Sequence, residues 1–450
     1  MKTEEQQPSI FEKISTGIRN SISLKLILIT ILTLLLLIPM SMIRGIIAER
    51  AINRTETELE VSDKWARQQT VTGPILSIPV LYQRVVSEDE IVSYTKNLNI
   101  LPNQLMIDGT VLPETLNRGI YDITVYSGEL NISGDFTLAR YRIDDENFAE
   151  IQWDNAFLTI GLSDLRGIRK SIPFQWNGSP VAIEPGSKIQ NMISSGVTIP
   201  VSLNPEQLRY SFTGSLDIQG SENLSFVPLG NETRVSLESN WPDPSFMGSF
   251  LPDEREISQN GFTANWSVLQ LNRNYPQKWF DDAYASEMHQ SSFGVKLFNT
   301  LDDYQKSTRS AKYAVMTLAL TFLIFFLTEV LNHRRIHPFQ YTLVGLALSV
   351  FYVLLVSISE HLNFNIAYMI SSLAIIAMIT FYASYVFRSR KITLLLAMLL
   401  TAIYAFVFVT LQLADYALLI GSIGLAAILS ATMFYTRNIN WYKLSLGSQG

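Results

Sequence analysis

Apolar residues gather in six long runs, and their placement organises the chain. The first is Leu26 to Ile43; the others are Tyr313 to Leu331, Tyr341 to Ile358, Ile366 to Phe387, Ile392 to Leu413 and Ala417 to Tyr435. A helix rises ~1.5 Å per residue, so ~20 apolar residues cross the ~30 Å hydrocarbon layer, and each run is long enough to span it. Between the first and second runs the pattern changes. Leu208, Tyr210, Phe212, Leu216 and Ile218 alternate with polar residues around Gly214, Leu130, Ile132, Phe136 and Leu138 do so around Gly134, and Phe262, Ala264, Trp266 and Val268 repeat the pattern. A period of two places one side of a strand against a core and the other in water. Clusters such as Asn177-Gly178-Ser179-Pro180, Glu184-Pro185-Gly186 and Asn204-Pro205 read as turns between strands. The expected fold is an α-helical bundle of six transmembrane helices with a large β-rich domain of antiparallel sandwich type. One extended sandwich and two subdomains are both compatible with this pattern.

Charge orients the spans, because Lys and Arg of short loops are retained on the cytoplasmic side. Lys2, Lys13, Arg19 and Lys25 precede the first span, Arg334 and Arg335 separate spans two and three, and Arg388, Arg390 and Lys391 separate four and five. Arg437 and Lys443 follow the last span, while the alternate loops 359–365 and 414–416 hold no Lys or Arg. The expected organisation is a cytoplasmic segment 1–25, a signal-anchor helix 26–43, an outer β-rich domain 44–312, a five-helix bundle 313–435 and a cytoplasmic tail 436–450. Arg44, Lys306, Arg309 and Lys312 then fall on the outer side, against the rule, although long translocated domains largely escape it. The first run exceeds a typical signal core of about 7–15 residues and no small-residue cleavage site follows it before Arg44. Ile10, Ile14, Ile18 and Ile22, with Lys13 and Arg19 among them, have the spacing of a short helix on the inner membrane surface. Residues 44–69 and 302–312 read as helical stalks at the two ends of the outer domain.

Residues 44–312 carry 23 basic and 34 acidic side chains, a formal charge of −11, which argues against nucleic acid as a partner. The chain has no cysteine, hence no disulfide and no thiolate chemistry.

Motifs for catalysis are missing from the pattern. His333 and His337 share the spacing of a zinc helix, but HRRIH lacks the glutamate of that motif, and His289 and His361 stand apart. No nucleophile elbow, phosphate-binding loop or calcium-loop ligand series occurs, so no catalytic, cofactor or metal residue is assigned. Acidic pairs such as Asp144-Asp145, Asp281-Asp282 and Asp302-Asp303 read as solvated turns and caps. The run WPDPSFMGSFLP at 241–252 reads as an irregular loop. Its Trp241, Phe246 and Phe250 are the candidate contacts for a partner or the membrane, with packing at the end of the sandwich as the other role. Within the spans Glu329 is the one carboxylate to explain, and an interfacial ion pair with Arg334 or Arg335 is expected. Gly345, Ser349, Ser371, Ser372, Gly421 and Gly424 suit close helix packing.

Longer stretches carry a resemblance. LIPMSMIRGIIAERA at 37–51, VTGPILSIPV at 71–80, SNWPDPSFMGSFLPDEREISQNGFTANW at 239–266, YQKSTRSAKYAVMTLALTFLIFFLTEVL at 304–331, HPFQYTLVGLALSVFYVLLVSISEH at 337–361 and TRNINWYKLSL at 436–446 resemble the CreD inner-membrane proteins of Gram-negative bacteria. SDLRG at 163–167 is a looser match to the family run GDARG. The resemblance implies an inner-membrane location, a link to envelope integrity and stress tolerance, and no established reaction. Three readings follow. A non-enzymatic scaffold would bind an envelope protein, glycan or lipid through its outer domain. A transporter or lipid-handling protein would show a polar cavity between spans or an apolar channel in the sandwich. An envelope hydrolase would gather distant carboxylates in one cleft.

Overall fold

A computed structural model describes residues 22–87, 90–138, 143–297, 303–332, 336–413, 416–437 and 439. The surface helix expected on Ile10, Ile14 and Ile18 lies outside the described residues, as do Arg334 and Arg335. The chain divides into a unit of Met1–Asn53 with Leu301–Gly450 and a unit of Arg54–Thr300. Among the described residues the α-helices are α1 (Ile22–Trp65), α2 (Ala285–Gln290), α3 (Asp303–Lys312), α4 (Ala314–Leu331), α5 (Pro338–Ser359), α6 (Phe364–Phe387), α7 (Arg390–Gln412) and α8 (Ala417–Thr436). Of these α1 and α4 to α8 are long and apolar enough to cross a membrane.

In the helical unit, α1 buries Leu36, Met40, Ile43 and Ile47, positions three or four apart that form one face. That face meets α5 at Gly345, where a Cβ would lie 2.2 Å from Leu36 Cδ1 and 3.0 Å from Phe322 Cζ. A side chain there would separate the helices. Gly424 admits the Phe406 ring in the same way, and Ser349 and Ser371 are buried. Ser372 is half-buried, and Gly421, with open space around it, does not have the packing role its size suggested. Arg44, one of the basic residues that broke the charge rule, has a local partner, and so has Arg50 on the same helix. Arg44 donates to the Ala311 carbonyl from Nε at 3.3 Å and Nη2 at 3.0 Å, and Arg50 pairs with Glu360 at 3.3 Å. These contacts gather the C-terminal part of α3 and the α5–α6 connection around one stretch of α1. Helix α8 has no buried residue and presents apolar side chains all round, as a lipid-facing helix does.

The β unit consists of two sheets on one shared core. The ten-stranded sheet runs in spatial order Ser245–Gly248, Phe293–Lys296, Asn223–Phe226, Gln69–Ser87, Phe157–Leu162, Gly196–Pro200 and Glu184–Pro185, with Glu90–Ile100, Lys278–Phe280 and Phe148–Ile151 paired off this path. The eight-stranded sheet runs Glu254–Ser258, Gly261–Leu269, Glu232–Ser239, Gln104–Arg118, Tyr121–Thr137, Arg209–Ser221, Phe174–Trp176 and Ser179–Pro180. The pairing is mostly antiparallel, as the sandwich type implies, with two parallel pairs. Gln69–Ser87 lies parallel to Asn223–Phe226, and Gln104–Arg118 parallel to Glu232–Ser239, so both sheets are mixed. Because both sheets share one core cluster, the unit is a single sandwich rather than two subdomains.

The alternating residues fill that core. Tyr210, Phe212, Leu216, Ile218, Leu130, Ile132, Phe136, Leu138, Phe262, Ala264, Trp266 and Val268 are all buried. Leu208 is the exception, 55% exposed just before its strand begins. Glycine at 134 and 214 makes room for rings: Gly134 pairs in register with Phe212, whose Cζ would be 2.7 Å from a Cβ there, and Phe174 covers Gly214. Asn177 and Gly178, with φ of 49° and 76°, turn the Phe174–Trp176 strand into its two-residue partner, as a tight hairpin requires. Glu184-Pro185, expected as a turn, instead forms a two-residue edge strand followed by Gly186 at φ 93°.

Candidate functional site

The WPDPSFMGSFLP run is less irregular than its prolines suggest. Ser245–Gly248 forms a strand paired to Phe293–Lys296 and ends the ten-stranded sheet, so one of its edges has no strand partner among the described residues. Pro242 and Pro244 cannot donate to a ladder and hold the pairing to the residues after them. At the other end Gly248 has φ 91°, and a Cβ there would lie 2.2 Å from the Ser292 carbonyl oxygen. Phe246 sets its ring edge-on to Phe262 at 5.8 Å and Trp266 at 5.7 Å, with the Arg255 guanidinium 5.9 Å from its centroid. Phe250 meets Phe293 at 5.9 Å, and its carbonyl accepts from Trp266 Nε1 at 3.3 Å. Trp241 donates from its indole to the Asp243 carbonyl at 3.0 Å. All three rings are half-buried, and Leu251 beside them is 64% exposed. Phe246 and Phe250 therefore join one aromatic cluster, while Trp241 is held by its own turn.

A second organised place is SDLRG at 163–167. Asp164 caps the short helical turn Leu165–Gly167 and binds the Arg166 guanidinium through both oxygens, at 2.7 Å from Nη2 and 2.9 Å from Nε. It also accepts from the Arg67 backbone at 3.0 Å, while Arg166 donates to the Asp63 carbonyl. Arg166 thus holds the Asp164 carboxyl well below the usual carboxylate range, at about 2. Gln69 donates to the Asp164 carbonyl at 2.8 Å, and Gln219 donates to the Trp65 carbonyl at 2.6 Å. Gly167 is required because a Cβ would fall 2.3 Å from Gln69 Nε2 and 2.4 Å from the Gln219 oxygen. The looser family match is therefore a staple that fixes the C-terminal turn of α1 to the sandwich.

In the helical unit, Glu329 is fully buried and pairs with Lys25 of α1, buried in turn; the expected partners Arg334 and Arg335 lie outside the described residues. Glu329 Oε1 also accepts from the Ile336 backbone at 2.9 Å, and Oε2 from the Tyr341 hydroxyl at 2.9 Å. A cleft of about 240 Å³, lined by Leu28, Ile29, Leu32, Pro338 and Phe339, opens beside Lys25 and Tyr341. Lys25 had been counted with the loop charges before the first span; helix packing draws it inside. His337 caps α5, its Nδ1 accepting from the Phe339 backbone at 3.2 Å, and His289 Nε2 lies 2.7 Å from the Met192 carbonyl. Among the described residues no three His, Asp or Glu side chains converge as metal ligands would.

Residues 21–442 match the profile of the family described as Inner membrane protein CreD. Over 419 residues, 92% of each chain, the sequence is 35% identical to the Inner membrane protein CreD of Escherichia coli (strain K12). The chain belongs to the CreD family. It is accordingly a multi-pass protein of the inner membrane, and that relative's name states no reaction.

Two features of this CreD-family chain escaped the sequence. The Lys25–Glu329 pair joins residues 304 apart, and only helix packing brings them together. A lone carboxylate inside a span was the available signal, since such a group calls for a cation. For Asp164 the signal was an aspartate directly before a short run ending in glycine, the pattern of a capped turn. Of the charges assigned to topology, Arg388 and Arg390 line a groove between α6 and α7, and Lys391 is exposed.

Proposed function

We propose that this chain is a non-enzymatic envelope-integrity protein whose β unit lies in the periplasm, with both termini in the cytoplasm, and recognises an envelope partner. The observation that carries the reading is the open sheet edge at Ser245–Gly248, which sets a free strand edge next to half-exposed aromatic side chains. An edge of this kind accepts an added strand, with the aromatics as anchors. The alternation of basic and non-basic connections supports the orientation. The bundle serves as a platform: α1 is locked to it by the Lys25–Glu329 pair and the Leu36–Gly345 contact.

The test is in-cell photocrosslinking from positions 241, 246 and 250, with bands identified by mass spectrometry and lipid analysis. A specific protein or glycan adduct is expected at the edge and not at exposed Asn260. A lipid adduct would replace this reading with lipid handling, and absence of any adduct would return the three rings to packing alone.

A further inference from the structure

The loop between α6 and α7 contains more than a topology signal. A groove of about 480 Å³ opens there, lined by Thr380, Ser384, Arg388, Arg390, Thr393 and Ala397 among others. Thr380 and Ser384 lie four residues apart on α6, Arg388 is the left-handed cap that ends it, and on α7 the positions 390, 393, 394 and 397 form one face. The groove is thus two facing stripes. Both end in arginine at the same end of the helices, and the α7 stripe passes through Leu394 and Ala397 toward the apolar interior of the span. Among the described residues no carboxylate pairs with Arg388 or Arg390. Ser389 takes the cap position of α7 in an extended conformation without a side-chain cap bond, so the positive end of a 23-residue helix faces the same place. Thr380 Oγ1 is buried and has no partner.

We propose that this groove is a binding site for an anionic phospholipid. Its phosphate sits between the Arg388 and Arg390 guanidiniums at the start of α7, and an acyl chain follows Leu394 and Ala397 toward the bilayer centre. Two planar guanidiniums suit phosphate oxygens bidentately, and the apolar floor suits hydrocarbon. Basic pockets between membrane helices hold lipid headgroups by this combination. A free anion would use the cations without the floor, so the two sources are separable.

The experiment uses the full chain in nanodiscs of phosphatidylcholine doped with a phosphatidylglycerol carrying a diazirine in its acyl chain, or with a phosphatidylcholine bearing the same chain. Adducts are mapped by peptide mass spectrometry. Two unpaired cations near the surface are expected to favour phosphatidylglycerol in peptides 380–397 by about thirtyfold. Lipid-facing α8 should label equally with both probes. Ala397→Phe fills the floor without removing a cation and is expected to abolish the preference, whereas excess inorganic phosphate leaves it intact. Equal labelling of the groove by both lipids overturns the proposal even if the variant fails to fold. Loss of labelling to inorganic phosphate overturns it in favour of a free-anion site.

Discussion

Replacing Lys25 by Met tests the energetics of the buried ion pair in the helical unit. Methionine keeps the length and apolar stem of the side chain and removes the ammonium. Among the described residues Glu329 then retains the Ile336 N–H and the Tyr341 hydroxyl, in a site where it is fully buried. Leaving one member of a buried pair costs about 3–5 kcal/mol, because the remaining charge is neither solvated nor compensated. Replacing both members by neutral groups of similar shape restores most of that loss, since the desolvation penalty disappears with the charges. Lys25→Met is therefore expected to destabilise the bundle by about 3–5 kcal/mol, and Lys25→Met/Glu329→Gln by clearly less, a coupling beyond the roughly 0.5 kcal/mol of independent sites. Tyr341→Phe alone should cost about 1.5–3 kcal/mol, the range for a hydrogen bond to a charged group. The assay is reversible unfolding of the full chain in mixed micelles, followed by fluorescence and circular dichroism. A cost of Lys25→Met below about 1 kcal/mol, or a double variant no more stable than Lys25→Met, would show that Lys25 and Glu329 are not a coupled buried ion pair.

Other consequences are accessible to simpler measurements. The Asp164 carboxyl titrates at about 2 rather than its ordinary 3.8, so its contribution to stability is complete above about pH 4 and is lost as the pH falls toward 2. Asp164→Asn should lower stability near neutral pH by about 1–2 kcal/mol and flatten the acid limb of the unfolding curve, which a pH series of melting profiles would reveal. Gly248→Ala forces a Cβ against the Ser292 backbone at a left-handed φ and should cost about 1–3 kcal/mol, with protease sensitivity rising at the sheet edge first. Because the chain lacks cysteine, single replacements report topology directly: Asn260→Cys should react with a membrane-impermeant maleimide in cells with a permeabilised outer membrane, and Ser389→Cys only after lysis. Reaction of Ser389→Cys before lysis, with Asn260→Cys reacting only after it, would reverse the proposed orientation.

Much of the architecture was legible in the sequence because it rests on local periodicity. Runs such as Ile366 to Phe387 differ from the Phe364–Phe387 helix only at an end, and the alternation through Tyr210, Phe212, Leu216 and Ile218 marks its buried face. Non-local pairing was not legible. Nothing near Gln69 announces that it lies parallel to Leu224, nor does anything near Glu329 point to a lysine 304 residues earlier. Pro242 and Pro244 suggested an irregular loop, and the four-residue strand after them is imposed by the Phe293–Lys296 partner rather than by its own composition. The aromatic residues of the sheet edge were identifiable, but the cluster that fixes Phe246 and Phe250 comes from Phe262, Trp266 and Phe293, separate strands meeting in space.

The position of Phe293–Lys296 has a consequence for how the β unit is made. This strand lies between Asn223–Phe226 and Ser245–Gly248, yet it is the last strand in sequence among the described residues. Its absence would leave Ser245–Gly248 without its ladder partner, open one edge of Asn223–Phe226 and remove Phe293 and Val295 from the core. Closure of the sandwich therefore waits until nearly all of it has been synthesised, just before the second membrane span follows. Long-range pairing of this kind is slow, and its unfinished edges are open to association. Fragments ending before Phe293 should consequently behave as incomplete folding units, and maturation of the domain is coupled in time to insertion of the helices that come after it.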